Sequence, residues 1–328
     1  MLTIKTLARL GAVFALSMLA LPTMSPTKAL AQAWPQRTVK FIVPLGPGSG
    51  VDIGSRLFAD RLSKKWGQSV VVENQVGGDA IVAINAFLNA NDNHVMLMAP
   101  SSAFTHHPYT MDKLPYNPAD LIPVARVSNT IVTYSVPVGL GVNTLPELLA
   151  RAKAEPGKLN WAGATGMIDF VLLAHLKTAG GEFTRVPYRN PVQPATDLAE
   201  GRIQFYIGAY AIVRPHIQSG KVKPIAITNK TRAAILSDVP TTTEAGYPQL
   251  ATDGLVGLFA SKDLPADVRA KIAADIKEVS ADPMIGERLS ATGQVMNIGN
   301  AAEFTASINE QKAQAAAVAK VLGLKVAQ

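Results

Sequence analysis

The sequence predicts an α/β fold in which mainly parallel sheets are covered by helices on both faces. Apolar runs of strand length alternate with segments of helical spacing along the chain from residue 34 onward. The early strands also end in loop-forming residues, at positions 44–48, 74–78 and 100–102. The carboxyl ends of parallel strands share one edge of a sheet, so these loops are expected to line a common ligand crevice.

Alternating elements in the first part of the chain lead into an irregular stretch. The pattern predicts strands at 39–43, 70–74 and 95–99 and helices at 51–65 and 79–89. Residues 105–123 carry four prolines and are predicted to be irregular. His106 and His107 in that stretch could indicate a metal, but adjacent residues point apart in most backbones and no third ligand lies nearby. A loop role without a metal is the favoured interpretation.

The second part of the chain repeats the alternation and ends in a long helix. Extended segments are predicted at 131–138, 159–161, 185–187, 203–207 and 224–227, and helices at 145–154, 168–179, 192–200 and 211–219. Thr144 is the expected N-cap of the 145–154 helix. An extended segment at 255–260 and a helix at 266–281 follow. Asn300 and Glu303 then form a capping box before an alanine-rich final helix.

A glycine-rich loop between the first strand and the first helix is the clearest indication of a ligand site. Gly46, Gly48 and Gly50 lie between a buried-strand pattern and a helix that begins near Val51. Free backbone N–H groups and the positive end of the helix dipole converge there, so the junction can hold a carboxylate or a phosphate. The Walker lysine and the third Rossmann glycine are absent, which argues against a nucleotide. A turn without any ligand is the alternative. The small-residue loop at 162–166 repeats the arrangement.

The N-terminal segment has the features of a secretory leader. Lys5 and Arg9 precede an uncharged stretch at 10–24, and cleavage is expected near Ala31 or Ala33. The stretch is short for a spanning helix, so the protein is predicted to be exported to the periplasm. Without residues 1–31 the chain keeps 297 residues and a formal charge of +4 instead of +7. That length suits about two domains, and the lack of cysteine excludes disulfides and thiolate chemistry.

Eight segments of the chain resemble one known family. They are WPQRTVKFIVP at 34–44, GPGSGVD at 46–52, VVEN at 71–74, LPYNPAD at 114–120, PGKLN at 156–160, VPY at 186–188, PHIQSGK at 215–221 and DVPTTTEAG at 238–246. In this order and spacing they look like the Bug (TctC-type) extracytoplasmic solute receptors of tripartite tricarboxylate transport systems. The resemblance covers the whole mature chain.

This resemblance implies a two-lobed periplasmic binding protein, type II-like, that closes over a small organic carboxylate. Each lobe would hold a mainly parallel sheet flanked by helices, and two crossover strands would form the hinge. The implied domains are a signal peptide at 1–31, lobe 1 at 32–132 plus 253–328, and lobe 2 at 133–252. The implied partners are the carboxylate and the permease subunits of a tripartite transporter. No cofactor, no metal and no catalytic residue are expected, and the expected state is a monomer.

In the family, backbone N–H groups and ordered waters hold the carboxylate at five loops, and side chains set selectivity. Carried over to the matching positions, these loops give one set of candidate ligand-binding residues. From the loops at 45–52, 76–79, 100–103, 164–169 and 188–191 they are Leu45, Gly48, Ser49, Gly50, Asp52, Gly78, Ser101, Ser102, Ala164, Thr165, Gly166, Asp169 and Tyr188. Gly208 and Tyr210, at the end of the predicted strand 203–207, complete the set of candidates.

Two departures from the family pattern concern the pocket. Relatives carry a serine or threonine and then a histidine at the start of the second-lobe helix, whereas here Thr165 keeps a hydroxyl and no histidine follows. Asp169 either stabilises the helix dipole or faces the cleft, where it would favour a ligand bearing an amine or a hydroxyl. Many relatives have an acid where Gly208 stands, so Tyr206 or Tyr210 could extend into that space. An aromatic, dicarboxylic or longer apolar acid would then fit better than a small tricarboxylate.

Other function classes are less well supported by the sequence. A periplasmic hydrolase would need a nucleophile elbow or a grouped histidine set, and neither is evident. Nucleic-acid binding would need a cluster of Lys and Arg, which the chain lacks. A receptor that presents its ligand to a sensor kinase would use the same fold and the same cleft, so the sequence leaves that alternative open.

Overall fold

A computed structural model describes residues 34–163, 166–188 and 192–327. By its internal contacts the chain divides into residues 1–36 and residues 37–328, and the second unit holds all the elements described below. The predicted signal peptide at 1–31 lies outside the described residues. In the three described ranges, no helix is both long enough and apolar enough to cross a membrane.

The strands of the described residues are β1 (Val39–Val43), β2 (Val70–Asn74), β3 (Val95–Pro100), β4 (Leu121–Thr130), β5 (Val132–Pro137), β6 (Leu159–Gly163), β7 (Phe183–Arg185), β8 (Phe205–Ala209), β9 (Val222–Ile227), β10 (Gly254–Ser261) and β11 (Gln294–Gly299). The helices are α1 (Gly50–Trp66), α2 (Ile81–Ala90), α3 (Ser102–Thr105), α4 (His107–Thr110), α5 (Leu145–Ala154), α6 (Met167–Ala179), α7 (Gln193–Ala199), α8 (Tyr210–Gln218), α9 (Ala266–Val279), α10 (Pro283–Ala291) and α11 (Ala301–Leu322).

The described strands form two sheets. The first has the order β11-β4-β10-β3-β1-β2 and the second the order β7-β6-β8-β5-β9. Helical crossovers make β1 parallel to β2 and β3, and β6 parallel to β7 and β8. The strands β4, β5, β9, β10 and β11 pair antiparallel with their neighbours. The two-lobed α/β fold class is confirmed, but the sheets are mixed and not mainly parallel. The chain passes from β4 to β5 without a helix, and this brings β5 into the second sheet in the opposite direction.

The chain crosses between the two sheets twice. The first sheet takes its strands from residues 39–130 and 254–299, and the second from residues 132–227. Thr228 N–H donates to the Val132 carbonyl at 3.0 Å, and the Asn229 side-chain amide donates to the Thr130 carbonyl at 3.1 Å. The two crossings are therefore hydrogen-bonded to each other, as a paired hinge requires. The exact lobe boundaries at 132/133 and 252/253 stay a prediction.

The final helix, α11, packs against both sheets. Its capping box is confirmed, because the Asn300 side chain accepts from Glu303 N–H and Glu303 accepts from Asn300 N–H. Phe304 near its start lies 5.1 Å, ring to ring, from Phe259 in the first sheet. Ala315 belongs to the apolar core of the second sheet. The last helix thus covers more than the lobe to which the resemblance assigned it.

Several parts of the chain differ from the sequence prediction. The stretch at 105–123 is not irregular throughout, since it contains α4 and the first residues of β4. Strand β4, helix α10 and strand β11 were not predicted, and β8 spans Phe205–Ala209 instead of 203–207. Strand β7 spans Phe183–Arg185 instead of 185–187, because it pairs in register with residues 159–161 and ends before Pro187, which has no N–H to donate.

Candidate functional site

Residues 45–52 form a tightly hydrogen-bonded loop at the start of α1. The Ser49 hydroxyl caps the helix by accepting from Asp52 N–H at 3.2 Å. The Asp52 carboxylate, 2% exposed, accepts from Gly48 N–H at 2.9 Å, from Arg56 and from Asn74. Burial alone would raise the pKa of Asp52, but these hydrogen bonds outweigh it and the pKa lies below its ordinary value. Asp52 and the Gly48 amide therefore hold the loop in shape.

The backbone N–H groups that remain without an acceptor at this loop belong to the first turn of α1. The amides of Gly50 and Val51 have no acceptor within the described residues. A β-carbon at Gly50 would lie 2.7 Å from Gln294 Nε2 and 2.9 Å from the Thr292 carbonyl. Glycine is required here because the turn before β11 packs against the loop backbone. Leu45 is 38% exposed beside it, and its carbonyl accepts from Asn74 at 2.8 Å.

The second loop, after β2, brings both adjacent histidines onto one carboxylate. Asp79 has a φ of 52° and follows Gly78, whose φ is 55°. Asp79 Oδ2 lies 3.4 Å from Nε2 of both His106 and His107. The expectation that these histidines point apart is therefore wrong, because the short helices α3 and α4 turn the backbone between them. In the described ranges no group of three or more His, Cys, Asp or Glu side chains could hold a metal ion.

The two serines after β3 have different environments. Ser101 is 5% exposed, its hydroxyl donates to Gln311 Oε1 at 2.7 Å, and its N–H donates to the Leu255 carbonyl at 3.0 Å. Its polar groups are thus directed at α11 and β10. The Ser102 side chain is half-buried and has no hydrogen-bond partner among the described residues, so it is the serine with a hydroxyl available to a ligand.

In the second sheet, the predicted loop at 164–169 is described from Gly166 onward, and Ala164 and Thr165 lie outside the described residues. The amides of Met167 and Ile168 in the first turn of α6 have no acceptor in the described ranges. Asp169 is 4% exposed, and its Oδ2 pairs with Arg185 Nη2 at 2.6 Å. Its Oδ1 is buried without a hydrogen-bond partner. Burial raises the pKa of Asp169 to about 7, against the opposing effect of Arg185.

The two interpretations of Asp169 from sequence, dipole stabilisation and a position facing the cleft, both stay predictions. Asp169 occupies the first helical turn, but it is a buried ion-pair partner and not a solvated acid that only stabilises the dipole. Arg185, which sequence reasoning missed, sits beside it at the end of β7. The available signal was an arginine at the carboxyl end of a strand next to an anion-type loop.

The loops of the two sheets meet at a ring contact. The His106 ring lies 5.0 Å from the Phe170 ring, which joins the α3–α4 turn to the first part of α6. Asp79 raises and Arg185 lowers the pKa of His106, so both charges act on the ring at this contact. Burial lowers the pKa of His106 to about 4, which keeps the ring neutral at neutral pH. This contact joins the loops that carry Gly78 and Ser102 to the start of α6, which carries Gly166 and Asp169, and the ligand roles of these four residues stay predictions.

The tyrosines near the predicted site are hydrogen-bonded or packed within the protein. The Tyr188 hydroxyl donates to Asp197 at 2.8 Å, and burial together with this bond raises the pKa of Tyr188 to about 12. Tyr210 is 5% exposed and packs near the crossing with Ile131 and Ile227. Tyr206 folds over Gly208, where its hydroxyl occupies the space that a β-carbon would take. The expectation that Tyr206 extends into the Gly208 space agrees with this geometry. The ligand roles of Tyr188, Gly208 and Tyr210 stay predictions.

A cavity of about 450 Å³ lies between α11 and the crossings, and its lining includes Leu255 and Gln311, the two residues that accept hydrogen bonds from Ser101. Its lining also includes Arg126, Lys230 and Glu310. Lys230 pairs with Glu310 at 2.6 Å, and Arg126 donates to the Asn297 carbonyl and the Ser307 hydroxyl. Because Lys230 and Arg126 already have partners, the helix N-termini, whose first amides have no acceptor among the described residues, are the better candidate site.

Comparisons with known proteins agree with this architecture. The family model described as "Tripartite tricarboxylate transporter family receptor" (TctC) matches residues 55–324. A UPF0065 protein of Bordetella bronchiseptica is 30% identical over 293 residues, which cover 89% of this chain and 87% of that protein. A solved structure described as a periplasmic transporter has a TM-score of 0.77 at 29% identity, covering 89% of this chain and 99% of that chain.

A second solved structure, R. palustris Rpa4515 with adipate, also has a TM-score of 0.77, at 26% identity and with the same coverage of 89% and 99%. These matches confirm the resemblance found in the sequence. They are to solute-binding receptors, a class that is generally not enzymatic. The chain belongs to the TctC family of tripartite tricarboxylate transporter receptors.

Proposed function

We propose that this protein is a periplasmic solute-binding protein that captures a small organic carboxylate between its two lobes and delivers it to the permease subunits of a tripartite transporter. The observation that carries the proposal is the pair of helix N-termini, α1 and α6, at each of which two amides lack an acceptor among the described residues. Family membership and the adipate recorded with Rpa4515 support the same ligand class. The protein acts as a monomer and performs no catalysis.

The physical basis is capture of an anion by backbone donors. Each charge-assisted hydrogen bond from an amide contributes about 1.5–3 kcal/mol. The helix dipoles add a favourable field at both ends of the cleft. The amides of Met167 and Ile168 act on the ligand only when the second lobe closes, so binding stabilises the closed form by the difference in affinity between the two states.

Titration calorimetry of the mature chain against mono-, di- and aromatic carboxylates tests the ligand class. At least one acid should bind with a Kd below about 1 mM, which corresponds to about −4 kcal/mol. If none does, the receptor function is wrong.

A matched pair of variants at the first position of α6 tests the amide mechanism. Met167→Pro removes one N–H at a helix position where proline is tolerated, and Met167→Ala controls for the lost side chain. The proline variant should bind the acid at least tenfold more weakly than the alanine variant. Equal affinities would contradict a direct role for this amide.

The transport partner requires a separate measurement. The ligand-loaded protein should co-purify in detergent with the small and large membrane subunits of a tripartite transporter, and the ligand-free protein should do so less well. Association with a periplasmic histidine-kinase sensor in place of these subunits would favour the signalling alternative.

A further inference from the structure

A row of polar groups runs inward from the loop after β2 and ends in the core of the first sheet. Asp79 Oδ2 lies 3.4 Å from His107 Nε2, and His107 Nδ1 lies 2.6 Å from the Tyr116 hydroxyl. The same hydroxyl lies 3.0 Å from the Ala103 carbonyl oxygen. His107 is 0% exposed and Tyr116 is 9% exposed, so the groups of this row satisfy one another and are shielded from solvent.

The three contacts of this row need three protons. A carbonyl oxygen only accepts, so the Tyr116 hydroxyl donates its single proton to Ala103. The hydroxyl then accepts from His107 Nδ1–H. A neutral imidazole has one N–H group, so its Nε2 would turn a lone pair toward the Asp79 carboxylate. A second proton on His107 removes that repulsion and supplies the third donor, so the hydrogen-bond partners favour protonation of both ring nitrogens.

The ionisable groups around His107 agree with a cation at this position. Burial alone would raise the pKa of Asp79, but the two histidines outweigh it and hold that pKa below its ordinary value. Burial lowers the pKa of His106 to about 4, so His106 is neutral at neutral pH, and Arg185 acts on it as a positive charge from the second lobe. Burial also raises the pKa of Tyr116, so its hydroxyl keeps its proton. Asp79 is therefore the counter-ion of a buried imidazolium.

This ion pair holds a strained part of the ligand loop. Gly78, Asp79 and Ala80 have φ values of 55°, 52° and 73°, all in the left-handed region. Residues with a β-carbon rarely adopt this conformation, and two in succession persist only where tertiary contacts hold them. The Asp79 carboxylate makes such contacts, because it lies 3.4 Å from Nε2 of both His106 and His107. The charge on His107 thus bears on the position of Gly78, a candidate ligand residue.

We propose that His107 is a buried imidazolium at neutral pH and the positioning residue of the loop that carries Gly78, so that loss of its proton weakens ligand binding. The effect on binding rests on the proposed carboxylate-binding function, whereas the protonation state of His107 does not. Without the proton, a lone pair faces Asp79 and the left-handed loop loses its anchor. A positive charge near the anionic ligand is also lost, so both effects weaken binding as the pH rises.

Nitrogen-15 NMR of the histidine rings in the mature chain tests the protonation state without any ligand. At pH 6.5 both ring nitrogens of His107 should have the shifts of a protonated imidazolium. In Asp79→Asn the anion is gone, so His107 should be neutral with its proton on Nδ1; asparagine tolerates the left-handed conformation. In Tyr116→Phe the acceptor at Nδ1 is gone, so His107 should lose its second proton at a lower pH and keep the other on Nε2. A wild-type His107 with one protonated nitrogen at pH 6.5 would overturn the inference.

Calorimetry tests the effect on the site, with adipate as the probe or, if adipate does not bind, the tightest-binding acid of the carboxylate panel. From one pH unit below the NMR midpoint of His107 to one unit above it, wild-type affinity should fall about threefold more than that of Asp79→Asn. Asp169, with a pKa raised to about 7, titrates in both proteins, so the difference isolates His107. Asp92→Asn, at the surface pair with Arg37, is the matched control and should keep the wild-type pH dependence.

The same pH dependence in the wild type and in Asp79→Asn would overturn the positioning role of His107. If no acid binds to the wild type at any pH, the proposed function is wrong, and the NMR result still decides whether His107 is an imidazolium.

Discussion

Replacing Asp169 by asparagine should change how stability depends on pH. In the folded protein the pKa of Asp169 is raised to about 7 from the ordinary 3.8, with burial as the main cause. A raised carboxyl pKa means that the folded state holds a proton which the unfolded state has released between these two values. Asp169 therefore reduces stability progressively as the pH rises from about 4 to about 7, and Asp169→Asn removes this loss.

The size of the effect follows from the two pKa values. One pKa unit corresponds to about 1.4 kcal/mol, so the full difference is about 4 kcal/mol. Between pH 4.5 and pH 8, ionisation of Asp169 should lower the free energy of unfolding of the wild type by roughly 3 kcal/mol. Asparagine has nearly the same shape and can still accept from Arg185, so packing at this site should change little.

Urea denaturation of both proteins at pH 4.5, 6 and 8 measures this difference. The free energy of unfolding of Asp169→Asn relative to the wild type should increase by roughly 3 kcal/mol between pH 4.5 and pH 8. Asp92→Asn is a control of opposite sign, because a hydrogen bond from Arg37 holds the pKa of Asp92 below its ordinary value. Its stability relative to wild type should fall as the pH rises from acid to neutral. Parallel pH profiles for the wild type and Asp169→Asn would refute the account of a buried, partly unsatisfied carboxyl.

Three further changes test packing and capping. Gly208→Ala places a methyl group where the Tyr206 hydroxyl lies and should cost about 1–3 kcal/mol of unfolding free energy, with partial recovery in Gly208→Ala/Tyr206→Leu; an unchanged urea midpoint would contradict the overlap. Asn300→Ala removes the capping box and should cost about 1 kcal/mol by the same assay, whereas Asn300→Asp should cost little. Gln311→Leu breaks the bonds to the Ser101 hydroxyl and the Asp253 carbonyl and should cost about 1–3 kcal/mol, seen as a lower melting temperature; a wild-type melting temperature would show that these bonds are dispensable.

Much of the local structure could be predicted because its causes are local. The helix over Leu145–Ala154 has the predicted bounds, and Thr144 caps it by accepting from Glu147 N–H three residues on. The Asn300–Glu303 box has the same origin. Strand β10 was also predicted closely, since an apolar run flanked by loop residues marks a buried strand wherever it lies. By contrast, β11 carries Gln294 and Asn297 among its six residues, and its apolar pattern is too weak to predict a strand.

In the candidate site, too, features with local causes could be predicted and long-range contacts could not. Sequence placed the anion-type loops at the starts of α1 and α6, because a strand, a small-residue loop and a helix give free amides whatever surrounds them. The sequence did not show that the Ser101 hydroxyl would donate a hydrogen bond to Gln311, 210 residues away. Nor did it show that Tyr210 would be buried at the crossing. It also did not show that Asp79 would lie between two histidines.

The sequence by itself determined the alternation of elements, the two backbone anion loops and the family of this protein, because each depends on residues close together in the chain or on their order along it. Only the tertiary structure decided which side chains remain open to a ligand. The pairing of Arg185 with Asp169 over Trp161 depends on β6, β7 and α6 packing together. The burial that raises the pKa of Asp169 exists only once these elements have assembled, because a short stretch of chain cannot exclude water from a carboxylate.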